Sequence, residues 1–398
     1  MLYKKNKTEK LDMELFRNPT AEYRGTPFWS WNCKLEQEEL EWQLEAFKKM
    51  GFGGAHMHVR TGLATPYLSD EFMDMVKACV DKAKKEELLA WLYDEDRFPS
   101  GAAGGLVTKD EQYRCRYLLF TPRPYSGEGR KIEGEITLWG VIRSEDGRLL
   151  NCYDVELDDR GYLKSWKVIG ADEPAEHEKW YAYLEVNKET PWYNNQTYVD
   201  TLNKAAIERF VEVTHERYHQ VVGEEFDETV PAIFTDEPEF TFKTCLSYAK
   251  GKEDVYLPWT DDLPETFAAA CDGKDLMASL PELFWERADG RISEIRYHYH
   301  DHLCDRFVEA FADTCGDWCK EHNLALTGHM MREQTLQSQT AAVGEVMRSY
   351  RGFGIPGIDM LGGVNISCLS GQCGLAPMSN NNHKKKCGAS PFINRRLW

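Results

Sequence analysis

Short apolar runs that stop in carboxylates constrain this chain most, and Val230-Pro-Ala-Ile-Phe-Thr-Asp-Glu-Pro-Glu239 is the sharpest of them. The apolar part is too short for a helix and is bounded by Pro231 and Pro238, so it reads as a buried strand. Asp236, Glu237 and Glu239 follow at once. In α/β proteins ligands bind beyond the C-terminal ends of parallel strands, and carboxylates crowded there point to a site. Acidic residues also favour the first turn of a helix. Pro238 and the polar Glu-Phe-Thr-Phe-Lys after it argue against a helix starting here.

The same plan recurs along the chain. Pro27 to Asn32 reads as a first strand, and Leu35 to Met50 as an amphipathic helix with Leu40, Leu44 and Phe47 in register. Gly51-Phe-Gly-Gly54 ends that helix, and a second strand runs from Ala55 to Arg60. Period two sets His56, His58 and Arg60 on one face of it and Ala55, Met57 and Val59 on the other. Ser69 caps a helix from Asp70 to about Glu86, and a third strand from Leu88 ends in Asp94, Glu95 and Asp96. Arg97 to Gly105 is expected to be a mobile lip, rich in small residues but without a phosphate-binding pattern.

Between residues 113 and 193 the text changes to short alternating runs, among them Tyr117–Phe120, Ile136–Ile142 and Trp180–Val186. Turn pieces separate them, which predicts an inserted antiparallel β domain. Helical period returns between Asp200 and Val222, and again from about Leu283 to Glu321. Leu324 to Glu333 reads as a strand ending in His329 and Glu333, Ala341 to Tyr350 as a helix, and Gly357–Leu361 as a sixth strand. The expected architecture is α/β, a (β/α)8-type TIM barrel with an inserted antiparallel β domain. Its first part is 1–112, the insert is 113–193, its second part is 194–362, and 363–398 is an irregular tail. Six strands are two short of a closed ring, and the tail is too short for two more βα units of about 30 residues each. The sequence therefore leads us to expect a C-terminally truncated barrel.

Charge and composition narrow the partners. A net charge of −18 over 398 residues argues against nucleic acid, which wants a basic face. No window nears 18 uncharged apolar residues, and the charged Met1–Lys10 lacks the core of a secretory signal. The 12 cysteines are scattered without zinc-finger spacing. A reduced, cytoplasmic home is the expectation, with oligomeric state left open.

Several ordered motifs carry a family resemblance: Thr65-Pro-Tyr-Leu-Ser-Asp70, Leu92-Tyr-Asp-Glu-Asp-Arg-Phe-Pro-Ser-Gly101, Phe234-Thr-Asp-Glu-Pro-Glu239 and Gly328-His-Met-Met-Arg-Glu333. Over about residues 20–362 the chain resembles glycoside hydrolase family 106, the α-L-rhamnosidases and related glycosidases. The resemblance implies a (β/α)8 catalytic barrel with appended β domains and hydrolysis with inversion. It implies a carbohydrate or glycoside substrate, with the sugar unspecified.

The residues support that chemistry in their own right, because glycoside hydrolysis needs two carboxyl groups across the scissile bond. Glu237 is the candidate acid and Glu333 the second carboxylate. Asp94, Glu95, Asp236, Arg60, His56, His58 and His329 are candidates for binding sugar hydroxyls. Trp29, Trp31 and Asn32 at the first strand are candidates for a sugar subsite, with core packing as the alternative for the tryptophans. Each carboxylate has a plainer alternative as an ion-pair partner of Arg60, Arg97 or Arg332. The rival reading joins His56, His58, His329 and Asp236 into a metal site of a hydrolase or isomerase. A third is a non-catalytic carbohydrate-binding fragment. The sequence requires no cofactor and leaves room for a structural or substrate-site divalent cation such as calcium.

Overall fold

The structure, a computed structural model, describes residues 9–127 and 140–360. The expected strand at 136–142 falls mostly outside them, and the tail from 363 falls wholly outside. Two sheets organise the described chain. The first is parallel and six-stranded, in the order β1-β2-β3-β8-β10-β11. Its members are β1 (Phe28–Trp31), β2 (Gly54–Val59), β3 (Leu89–Tyr93), β8 (Ala232–Asp236), β10 (Ala325–His329) and the short β11 (Ile355–Pro356). Five of these are strands expected from the sequence, and the sixth, β11, precedes the expected run at 357–361; β1 lies at one end of the order and β11 at the other. The second sheet is antiparallel, in the order β6-β5-β7-β4-β9. It comprises β4 (Arg116–Thr121), β5 (Arg148–Leu157), β6 (Leu163–Ile169), β7 (Glu178–Val186) and β9 (Val255–Trp259).

The last of these was not expected. β9 comes from the chain after β8, pairs with β4 and completes the antiparallel sheet from inside the stretch assigned to the second part of the barrel. Phe120 ties this sheet to its cover by stacking on Phe284 at 4.2 Å, and within the sheet it stacks on Trp180 of β7 at 4.9 Å.

Helices clothe the parallel sheet as the periodicity predicts. The helix Gln37–Lys49 follows β1 and buries Leu40 and Leu44. The helix Asp70–Lys85 follows β2, and the Ser69 hydroxyl accepts its Phe72 N–H, a cap worth about 1 kcal/mol. Helix Lys204–Val213 leads toward β8, and a continuous helical segment from Glu294 to Glu321 leads to β10. Backbones approach closely where the strands converge. At Gly328 a Cβ would lie 2.0 Å from the Thr235 carbonyl oxygen, and its φ of +144° suits glycine.

Register decides which side chains can reach the mouth of the sheet. Phe28 pairs with His56 and Ser30 with His58, while Trp29 pairs with Met57 and Trp31 with Val59. Side chains alternate faces, so the histidines and the tryptophans point oppositely. Trp29 packs on Phe47 and Trp31 on Phe72, both belonging to the covering helices. The sugar-subsite expectation for Trp29 and Trp31 is therefore corrected: they are core residues between sheet and helices, and Trp31 is 1% exposed. Asn32 is exposed just beyond β1.

Candidate active site

The C-terminal ends of β2, β3, β8 and β10 converge on Asp236. Its Oδ1 lies 3.0 Å from His329 Nε2, and its Oδ2 accepts the Tyr93 hydroxyl at 2.8 Å and lies 3.8 Å from His58 Nε2. Burial alone would raise this carboxyl group, but His329 and then His58 overturn that and hold it well below the usual range. The partner responds in kind. Burial works against a charged His329, yet the Asp236 carboxylate pushes its pKa up to about 9. The centre of the site is thus a buried imidazolium–carboxylate pair, with Glu237 Oε1 and Asp359 Oδ2 at 3.8 and 3.7 Å from the same imidazole nitrogen.

Glu237 stands directly after β8 with φ +50°, a left-handed conformation that costs a non-glycine residue energy and gathers at functional sites. Its N–H donates to the His329 carbonyl at 3.0 Å, which fixes the turn. Glu239, named in the sequence only as part of the motif, is buried as well. Burial, with Glu237 beside it, pushes its pKa up to about 8 against the pull of Arg332. Arg332 itself lies over the Phe242 ring, 4.2 Å from the centroid.

Glu333 is 1% exposed. Its Oε2 accepts the Tyr350 hydroxyl at 2.9 Å and its Oε1 the Asp359 N–H at 2.5 Å. Burial raises its pKa, with His329 opposing. Tyr350 and Asp359 are parts of the site that sequence reasoning missed. Tyr350 was seen only as a helix end, and nothing in its neighbours marks it as a carboxylate's partner.

The three carboxylates after β3 part company. Asp94 accepts the Ser100 hydroxyl at 2.6 Å and is raised well above its usual range by burial. Glu95 turns into the loop that follows and accepts the N–H groups of Asp96, Gly101, Ala102, Ala103 and Gly104 at 2.5–3.0 Å. Asp96 binds Arg97 at 2.9 Å and the Asn194 amide at 3.0 Å. Two expectations change here. Arg97 to Gly105 is a packed connection pinned by Glu95, with Ser100, Ala102 and Ala103 fully buried, and Glu95 has both oxygens committed to backbone.

His58 belongs to the Asp236 cluster, but His56 lies deeper. Its ring sits among Phe28, Trp91 and Phe234, and burial drops its pKa to about 3. The proposed union of His56 with His58 and His329 is not formed. Among the described residues the group able to hold a metal ion is Asp236, Glu237 and His329, whose donor atoms lie within 4.8 Å of one another. The histidines of the helix Glu294–Phe307 disperse, His300 to Lys243 at 2.7 Å and His302 to Thr266 at 3.0 Å. Arg60 lies beyond His58 at the rim of a cavity of about 560 Å³ that also touches Asp96 and Arg97. That cavity is beside the Asp236 cluster and is not lined by Asp236, Glu237 or Glu333.

No family model matches the chain, and no curated protein matches it in sequence. Among solved structures it is similar to a rhamnosidase from Novosphingobium sp. PP1Y, with 14% identity and a TM-score of 0.56. The likeness covers 92% of this chain and 51% of that one, so the chain spans about half the length of that structure. At such identity the likeness speaks for the fold. No described helix is long and apolar enough to cross a membrane. The chain carries a mixed α/β fold similar to that structure's, with a parallel sheet whose strand ends gather buried carboxylates and a separate antiparallel sheet.

Proposed function

We propose that the chain is a glycoside hydrolase acting on an α-L-rhamnoside-like substrate by carboxylate acid/base catalysis with inversion. One observation carries the reading: neighbouring buried carboxylates at the strand ends are pushed in opposite directions. Asp236 is held ionised while Glu239 and Glu333 are pushed up. Groups whose surroundings drive their pKa values apart are the usual mark of an acid and base assignment. In this reading Glu237 protonates the leaving oxygen, and Glu239, which keeps its proton to about pH 8, is the rival for that task. Glu333 is the second carboxylate. Its two donors, Tyr350 and the Asp359 N–H, suit the ionised form, and an elevated pKa makes it a better acceptor of a water proton. Asp236, His58 and His329 bind and orient sugar hydroxyls.

The three donor atoms of Asp236, Glu237 and His329 favour a second reading, a metal-assisted hydrolase. A ligating imidazole must be neutral, so a metal there would have to displace the proton that Asp236 favours on His329. Calcium takes six to eight oxygens, so the two carboxylates would need substrate hydroxyls or water beside them.

The test is a screen of nitrophenyl glycosides, α-L-rhamnoside included, and of alkyl counterparts, with Glu237→Gln alongside. An acid role predicts a fall of about 10²–10⁴-fold on poor leaving groups and a much smaller one on nitrophenyl substrates. Equal slowing of both, or of neither, removes Glu237 as the acid. Loss of turnover in excess chelator, restored by a divalent cation, would move the reading to the metal.

A further inference from the structure

The cavity beside the cluster has a charge pattern unlike the rest of the molecule. In a chain with a net charge of −18 it is lined by three cations, Arg60, Arg97 and Lys109, and by a single carboxylate, Asp96. Asp96 is already neutralised, since Arg97 and the Asn194 amide both bind it. Asn194 reaches it from a left-handed backbone, φ +54°, and its amide also donates to the Gly104 carbonyl at 2.9 Å. Arg60 and Lys109 are left over. Among the described residues neither has an ion pair or a side-chain hydrogen bond, and Arg60 has only the Phe98 ring, 5.8 Å from its guanidinium carbon to the centroid. A half-buried guanidinium without a carboxylate is uncommon in so acidic a protein, because the surrounding carboxylates would gain by pairing with it.

Its place in the fold says what it serves. Arg60 follows His58 by two residues, His58 approaches Asp236 at 3.8 Å, and the opposite wall is the loop that Glu95 pins. A volume of about 560 Å³ is large enough for a sugar ring. We infer that this cavity is a leaving-group subsite for an anionic sugar, one bearing the carboxylate of a uronic acid or a sulfate ester, recognised by Arg60 and Lys109. This rests on the glycosidase reading, and it adds the class of residue on the far side of the bond.

Binding and turnover are measured together so that the two ideas fail separately. Titration calorimetry with free glucuronate, its methyl ester and glucose 6-sulfate reports on the subsite without hydrolysis. Wild-type chain should bind at least one of the two anions and bind the uncharged ester about tenfold or more weakly, with the difference shrinking at high salt. Arg60→Gln should abolish that preference and Lys109→Gln should halve it or more. If Arg60→Gln does not fold, Arg60→Lys and Lys109→Gln carry the test. Preference for the uronate with none for the sulfate identifies the carboxylate, and the reverse identifies the sulfate. Equal binding of ester and anions, or no binding of either anion at millimolar concentration, overturns the subsite even if rhamnosides are hydrolysed. Anion binding lost in Arg60→Gln, in a chain that turns over no glycoside, overturns the hydrolase and with it the leaving-group role, and leaves only an anionic-sugar binding site.

Discussion

Both sheets bury charged residues, and they treat them in opposite ways. In and around the antiparallel sheet the buried charges Arg143 and Asp154, and the half-buried Glu145, meet their opposites or a set of N–H donors. Arg143 pairs with Glu145 at 2.8 Å and Asp254 at 3.4 Å, and Glu145 also accepts the Ser126 N–H and hydroxyl. Those contacts, Ser126 first, pull the Glu145 pKa down to about 2. Asp154 takes the N–H groups of His177 and Glu176, which outweigh its burial and lower it too. At the mouth of the parallel sheet Asp94, Glu95, Glu239 and Glu333 are all raised, chiefly by burial. Asp236 goes the other way, because two histidines face it. Structural charges are settled into their charged form, whereas the mouth keeps carboxyl groups near the point where a proton can be given or taken.

The comparison breaks most visibly at Asp236. Asp236→Asn removes the nearest counter-charge of a buried His329, which is expected to cost up to about 3–5 kcal/mol and to abolish any glycoside turnover. NMR titration should show the His329 pKa falling from about 9 to below the ordinary histidine value. Asp154→Asn in the other sheet keeps one acceptor oxygen for the His177 and Glu176 N–H groups and leaves no buried imidazolium behind, so it should cost less, about 1–2 kcal/mol. Similar losses at both positions would erase the distinction.

Glu95 belongs to the mouth by position but behaves like the structural charges, since five backbone N–H groups converge on it. An amide there would turn donors toward donors. Glu95→Gln should lose roughly 2–4 kcal/mol in denaturant unfolding and open the 97–105 loop to proteolysis. An unchanged midpoint with an intact loop would return Glu95 to the pool of sugar ligands.

Much of this was legible in the sequence, for identifiable reasons. Short apolar runs with polar ends located five of the six parallel strands and came within a few residues of the sixth, and Ser69 marked its helix start. The face of a strand was readable only as an alternation. His56 and His58 were seen to share a side, but which side met the helices depended on β1–β2 register, and so Trp29 and Trp31 were assigned to the mouth. β9 escaped because its five residues, interrupted by Pro258, pair with a strand more than 130 residues earlier, and no local pattern encodes that partner. Tyr350 and Asp359 escaped likewise, since they reach Glu333 from 17 and 26 residues away. Burial of the 97–105 loop was hidden by its composition. Small residues suit a mobile loop and also one wrapped tightly round a carboxylate.

The smallest expected effect is also the one whose sign differs between the two sheets. Glu239 has a folded pKa near 8 against an unfolded value near 4.3, so the folded chain holds an extra proton between those limits. Stability therefore falls as pH rises through that window, and the penalty is complete above pH 8. His329 acts in the same direction: its contribution is whole below about pH 6.5 and is lost as pH rises through 9. Glu145 is the reverse case. Its folded pKa near 2 contributes stability that is present above about pH 4.3 and is lost as pH falls through 2. The mouth should soften in alkali and the antiparallel sheet in acid. Glu239→Gln removes an alkaline penalty and should stabilise the chain at pH 9 by on the order of 1–3 kcal/mol, while changing little at pH 4. Glu145→Gln should flatten the acid limb by lowering stability at pH 6 and 9, with the smallest change at pH 3. Urea unfolding at pH 3, 6 and 9 separates them, and a Glu239→Gln chain no more stable than wild type at pH 9 would show that Glu239 gives up its proton as readily as any surface carboxylate.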